Sequence, residues 1–114
     1  MAAIRPYHLV FDCADVRPVS EFWSALLDAK VSGASDGWAE LEAVAGLPVL
    51  TFQAVPEARE VKNRLHVDFS VDDLDLVRQR VLDLGGTAVG PVQGTSSLWQ
   101  VFADVEGNEF CICE

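Results

Sequence analysis

The amino-acid sequence predicts an α+β fold made of two successive βαβββ modules, and three observations lead there. The chain repeats itself at about half its length. Each repeat opens with an alternating strand that runs into a capped amphipathic helix, and each helix is followed by three short strand segments separated by turn residues. The offset that carries His8 onto His66, 58 positions, also carries Phe11 onto Phe69, Asp15 onto Asp73, Val19 onto Val77, Leu26 onto Leu84 and Val31 onto Val89.

The first strand, "HLVFDC" at 8–13, puts Leu9, Phe11 and Cys13 on one face and His8, Val10 and Asp12 on the other. Asp15 then offers an N-cap carboxylate to "VRPVSEFWSALLDA". There Val19, Phe22, Trp23, Leu26 and Leu27 recur at helical spacing, and Pro18 lies in the first turn, where a missing N–H is tolerated. Strands are expected near 29–32, 38–43 and 49–54, with "SDG" at 35–37 and "AGLP" at 45–48 as turns. In the second half, residues 66–71 set Val67, Phe69 and Val71 opposite His66, Asp68 and Ser70. Asp73 caps a helix whose stripe is Leu74, Val77, Val81 and Leu84, until Gly85 and Gly86 end it. Strands follow near 87–89, 97–103 and 109–113, with "GP" at 90–91 and "EGN" at 106–108 between them. The charged, nonperiodic "PEAREVKNR" at 56–64 reads as an exposed linker. One domain over 1–114 thus divides into module one, 1–55, and module two, 65–114.

Composition narrows the function. With 114 residues, half of them hydrophobic, the chain has material for one core. A net charge of −10 serves solubility and disfavours nucleic acid and anionic lipid surfaces, leaving a preference for cationic ligands as the smaller alternative. The opening "MAAIRPYHLVF" lacks the pattern of a secretion signal, and no apolar stretch is long enough to span a bilayer. Three cysteines, Cys13, Cys111 and Cys113, make a poor disulfide framework. A soluble, cytoplasmic protein with reduced thiols is expected.

If the apolar strand faces pack on the helices, the remaining faces form a concave polar surface. His8, Asp12, His66, Asp68 and Ser70 would line it from the first strands. With Leu50, Phe52, Phe110 and Ile112 turned inward, Thr51, Gln53, Glu109, Cys111 and Cys113 would line it from the last strands. The offset of 58 also carries Gln53 onto Cys111, so His8, Gln53, His66 and Cys111 become two symmetric pairs whose side chains should converge. Imidazole, thiolate and amide oxygen are competent ligands for a divalent metal. The plainer reading is a polar residue near a sheet end and a Cys-x-Cys of two small buried side chains. Trp38 and Trp99 are either walls for a planar ligand or core plugs, while Trp23 belongs to the helix stripe. Cys111 as a nucleophile would need a histidine neighbour to lower its pKa. "DVEGNEF" reads as a turn in which Gly107 and Asn108 supply backbone angles.

These elements resemble the vicinal oxygen chelate superfamily, the glyoxalase, bleomycin-resistance and extradiol-dioxygenase group, in its glyoxalase-like branch. The resemblance rests on His8 seven residues before Asp15, "FW" at 22–23, "LLDAKV", "KNRLHVDFSVDDL" at 62–74, "VLDLGG" at 81–86 and "DVEGNEFCIC" at 104–113, and covers essentially the whole chain. It implies two modules related by pseudo-twofold symmetry, forming an incomplete barrel around a cavity, and a homodimer. It also implies metal ligands on the first and fourth strands of each module, at His8, Gln53, His66 and Cys111. The departure is Cys111, which stands where metal-using members carry a glutamate; Glu109, Asp12 or Asp68 would have to substitute.

Two main expectations follow. One is a binding protein of the bleomycin-resistance kind, holding a small organic molecule in a polar cavity lined by Asp12, Asp68, Ser70, Trp38, Trp99 and Cys113, without a complete metal site. The other is a lactoylglutathione-lyase-like or dioxygenase-like metalloenzyme, or another metal-dependent isomerase, using zinc, nickel, iron or manganese on His8 and His66. A third possibility is a domain that mainly dimerises or docks. The missing carboxylate favours the first, since proton transfer in a hemithioacetal isomerisation and iron chemistry both lean on it.

Overall fold

The computed structural model describes residues 7–57, 60 and 65–114. The opening residues 1–6, and 58, 59 and 61–64 of the expected linker, lie outside them; Pro56, Glu57 and Glu60 are exposed. The chain divides into two compact units, Met1–Ala58 and Arg59–Glu114, a boundary inside the segment expected to join the modules.

Unit one contains β1 (His8–Cys13), α1 (Val16–Leu27), β2 (Val31–Ala34), β3 (Trp38–Leu41) and β4 (Val49–Ala54). Unit two contains β5 (Asp68–Ser70), α2 (Leu74–Asp83), β6 (Thr87–Ala88), β7 (Trp99–Ala103) and β8 (Glu109–Cys113). Each unit is one open four-stranded mixed sheet with one helix, ordered β1-β4-β3-β2 and β5-β8-β7-β6. The first and last strands of each unit pair in parallel, and the last three form an antiparallel meander. These are the two βαβββ modules of an α+β fold that the repeat predicts.

Both helices begin as their sequences direct. The Asp15 carboxylate accepts from the Arg17 N–H at 3.1 Å, and the Asp73 carboxylate accepts from the Leu76 N–H at 3.1 Å. Unit two adds a second cap, because the Glu114 carboxylate accepts from the Leu74 N–H at 2.8 Å and so ties the end of β8 to the start of α2. The two helices stop differently. Asp28 closes α1 in the left-handed region (φ 53), whereas α2 runs through Leu84 into Gly85, whose φ of 96 suits glycine.

The core of unit one is aromatic. Trp23 and Phe52 are fully buried, and the Phe11 ring lies 5.3 Å from Trp23 and 5.4 Å from Phe52, which identifies the helix-facing side of the sheet. In unit two Phe102 and Phe110 stack at 5.9 Å, with Phe69 edge-on to Phe110, beside buried Leu74, Val81 and Ile112. Gln100 shares that inner side. Its Nε2 donates to the Gly90 carbonyl at 2.8 Å, while its buried Oε1 has no partner.

β3 ends at Leu41 rather than 43 and β7 begins at Trp99 rather than 97, and three further details differ from the expectation. β2 begins at Val31 rather than 29, because the αL turn at Asp28 and the bonded Ala29 N–H still belong to the helix end. β5 begins only at Asp68, so His66 precedes the strand. Asn108 is not a left-handed residue. Instead its backbone N–H and its Nδ2 both donate to the buried Asp104 carboxylate, at 2.9 and 3.1 Å, and Glu106 N–H donates there too, while Gly107 alone supplies the positive φ (87) of the turn.

Two stability outcomes follow. Asp104→Ala leaves this turn's donors without their acceptor and is expected to cost about 1–3 kcal/mol by urea denaturation. Trp23→Ala opens a core cavity and is expected to cost about 3–5 kcal/mol in the same assay.

Candidate functional site

The parallel ladders decide which side chains share the face opposite each helix. In unit one the register sets His8 beside Val49, Val10 beside Thr51 and Asp12 beside Gln53, and β3 adds Trp38 beside Gln53 and Glu40 beside Thr51. Paired residues lie on one side of the sheet, so His8, Asp12, Thr51, Gln53, Trp38 and Glu40 share the polar face. Trp38 is half-buried; its Nε1 donates to Glu40 Oε1 at 3.0 Å, and its ring centroid lies 6.3 Å from that of His8. The exposed Tyr7 ring leans on His8 at 3.9 Å. Thr51, expected to line the polar surface, is completely buried and donates to the Leu9 carbonyl at 3.5 Å.

In unit two the register sets Asp68 beside Cys111 and Ser70 beside Cys113, and β7 adds Val101 beside Cys111, Trp99 beside Cys113 and Ala103 beside Glu109. Asp68, Ser70, Cys111, Cys113, Glu109 and Trp99 therefore share a face. His66, just before the strand, places Nε2 3.2 Å from Asp68 Oδ1, with both side chains well exposed.

The same ladders revise the equivalence of Gln53 with Cys111. The offset of 58 holds for β1 against β5 and for the helix caps, but the parallel partner of Asp12 is Gln53 and that of its counterpart Ser70 is Cys113. By register Cys113 is thus the counterpart of Gln53, Thr51 is the counterpart of Cys111, and Trp38 matches Trp99. The connection between β6 and β7 is longer than that between β2 and β3, and the extra residues displace everything after it. Gln53 consequently lies four register positions from the partner of His8, roughly 13 Å along the strand. His8 and Gln53 share a face without meeting on it.

Within either unit, no group of three or more His, Cys, Asp or Glu side chains among the described residues is gathered as a metal-binding set. The two last-strand positions that correspond by register hold Thr51 and Cys111, a hydroxyl and a thiol. Burial, the hydrogen bond to Cys113, and the charges of Cys113 and Asp68 push the Cys111 thiol up to about 11, against a smaller lowering by a backbone hydrogen bond at Gln100. Its neighbours oppose the activated thiolate that a nucleophile requires.

The sequence reading missed Glu40 and Tyr7, which join Trp38 and His8 on unit one's face. Glu40 stands two residues from Trp38, the strand period, and that spacing was the available signal. The pKa of Cys111 has a direct readout. Alkylation of Cys111 by iodoacetamide, followed by peptide mass spectrometry, should stay slow through pH 9 and rise steeply only toward pH 11; fast labelling at neutral pH would contradict the raised value.

The sequence profile of the glyoxalase-like domain matches residues 8–113. No curated protein matches. Among solved structures, a glyoxalase/bleomycin resistance protein/dioxygenase family enzyme from Burkholderia phytofirmans PsJN is similar with a TM-score of 0.76 and 19% identity, covering 93% of this chain and 94% of that one. The fosfomycin resistance protein FosX from Mesorhizobium loti is similar with a TM-score of 0.76 and 19% identity, covering 99% and 92%. A possible glyoxalase from Bacillus cereus is similar with a TM-score of 0.74 and 21% identity, covering 96% and 98%. At these identities the structures speak for the fold, and the profile, over nearly the whole chain, speaks for the family. The chain belongs to the glyoxalase-like domain family, within the vicinal oxygen chelate superfamily.

Proposed function

We propose that this protein is a binding member of its family, of the bleomycin-resistance kind, which takes up a small organic molecule on its polar strand faces without a complete metal site. The observation that carries this reading is the pair Thr51 and Cys111. The last-strand positions that correspond by register hold a buried hydroxyl and a thiol kept protonated, and neither is a carboxylate. At these two positions a base for proton transfer and an anionic ligand are missing together. Each unit presents one indole on its polar face, Trp38 against His8 and Glu40 in unit one and the partly exposed Trp99 in unit two, and such a wall suits a flat ligand. The carboxylates Asp12, Glu40, Asp68 and Glu109 on the same faces favour one that is positively charged.

The second reading is a metal-dependent lyase, isomerase or dioxygenase with His8 and His66 as ligands. One observation favours it: Glu109 shares the face of Cys111, two residues before it, and supplies a carboxylate on the last strand. Elemental mass spectrometry on untagged protein purified without chelator, beside a His8→Ala and His66→Ala double variant, separates the two. The binding reading expects no stoichiometric zinc, nickel, iron or manganese that depends on the two histidines. Near-stoichiometric metal that disappears in the double variant would replace it with the enzyme reading. Metal-free bleomycin, a cationic probe with planar aromatic parts, should quench tryptophan fluorescence and raise the melting temperature, and Trp38→Phe should weaken both responses. An unchanged melting temperature would remove the support for a cationic aromatic ligand.

A further inference from the structure

Cys111 and Cys113 alternate on one strand, so both side chains leave β8 on the same side, and their Sγ atoms lie 3.9 Å apart. None of the three cysteines is in a disulfide; the third, Cys13, belongs to unit one, where its Sγ donates to the Gln53 carbonyl. The polar face around the pair is defined by its register partners. Asp68 flanks Cys111 from β5, Ser70 flanks Cys113, and Val101 and Trp99 flank the two from β7.

Two sulfurs held this way match the bite of a metal. At a metal–sulfur distance of about 2.3 Å, a separation of 3.9 Å subtends roughly 115° at the ion, close to the tetrahedral angle. Ordinary strand geometry already sets the pair, so little chain entropy is lost on closing a chelate. Thiolate sulfur selects soft ions over magnesium, calcium or manganese. Asp68, the strand partner of Cys111, adds a carboxylate to the same face of the sheet.

We propose that Cys111 and Cys113 form a two-thiolate site, contained within unit two, for a soft d10 cation of the zinc, cadmium or copper(I) type. Binding of a divalent ion releases the two thiol protons as the two sulfur–metal bonds form, with no change of oxidation state. Solvent or an exogenous ligand fills the remaining positions, because the pair supplies only two donors. The site uses neither His8 nor His66. It therefore stands or falls apart from the histidine-based enzyme reading and from the binding of an organic ligand.

Cadmium is the probe, added to the reduced, chelator-free full chain while the thiolate-to-cadmium charge-transfer absorption is followed. Saturation at one equivalent per chain is expected, persisting in Cys13→Ser and in the His8→Ala and His66→Ala double variant, and lost in Cys113→Ser. On the unmutated protein the same equivalent of cadmium should protect Cys111 and Cys113 together, and not Cys13, from alkylation at alkaline pH. This second readout is independent of how any variant folds. No charge-transfer band, a band that survives in Cys113→Ser, or protection of neither β8 cysteine would each overturn the site.

Discussion

Each unit of this protein depends on one non-local constraint, the parallel pairing of its first strand with its last. β1 meets β4 and β5 meets β8 only after the helix and two further strands have been traversed, because a parallel partner needs a crossover and cannot be reached through a hairpin. Once made, the ladder settles the two sides of the sheet at once. Leu50 and Phe52, like Phe110 and Ile112, go to the helix side and are almost wholly buried, and their alternating neighbours go to the other. In unit two β5 contributes only three residues. The pairing there is secured at its ends, where Cys111 N–H reaches the Val67 carbonyl, Val71 N–H reaches the Cys113 carbonyl, and Glu114 caps α2.

The two units share that scaffold and differ in what they present on it. Unit one offers an amide, carboxylates and an indole held by its own strand neighbour, Glu40. Unit two offers two adjacent thiols beside a carboxylate. Both sets occupy the same places in the pleat, since Gln53 and Cys113 stand opposite equivalent residues of the first strands and beside equivalent tryptophans of the third. Changing the side chains on an unchanged ladder is enough to exchange an amide for a thiol at equivalent places.

That economy explains why family membership does not by itself assign an activity here. A fold that positions side chains through backbone pairing keeps its geometry whichever residues fill the outer face, so chemistry is decided residue by residue. On the proposed reading, Thr51 and Cys111 are the residues that decide it. Thr51 lies in the middle of its parallel ladder and Cys111 at the start of its own, each is buried, and neither is an anion at neutral pH.

The sequence by itself determined the class of fold, the two modules, the helix caps at Asp15 and Asp73 and the strands β1, β4 and β8. All of these are written in local terms: a period of two or 3.6, a capping side chain, a glycine where φ turns positive. Side-chain alternation also identified the polar faces. Only the tertiary structure decided the register. Offsets counted along the chain add up loop lengths, whereas hydrogen bonding across the sheet ignores them, so the longer connection before β7 moved the counterpart of Gln53 from Cys111 to Cys113. The burial of Thr51, the raised pKa of Cys111 and the two carboxylate roles of Asp104 and Glu114 were likewise invisible to periodicity. Each arises from neighbours that are distant in sequence or from a turn's three-dimensional closure.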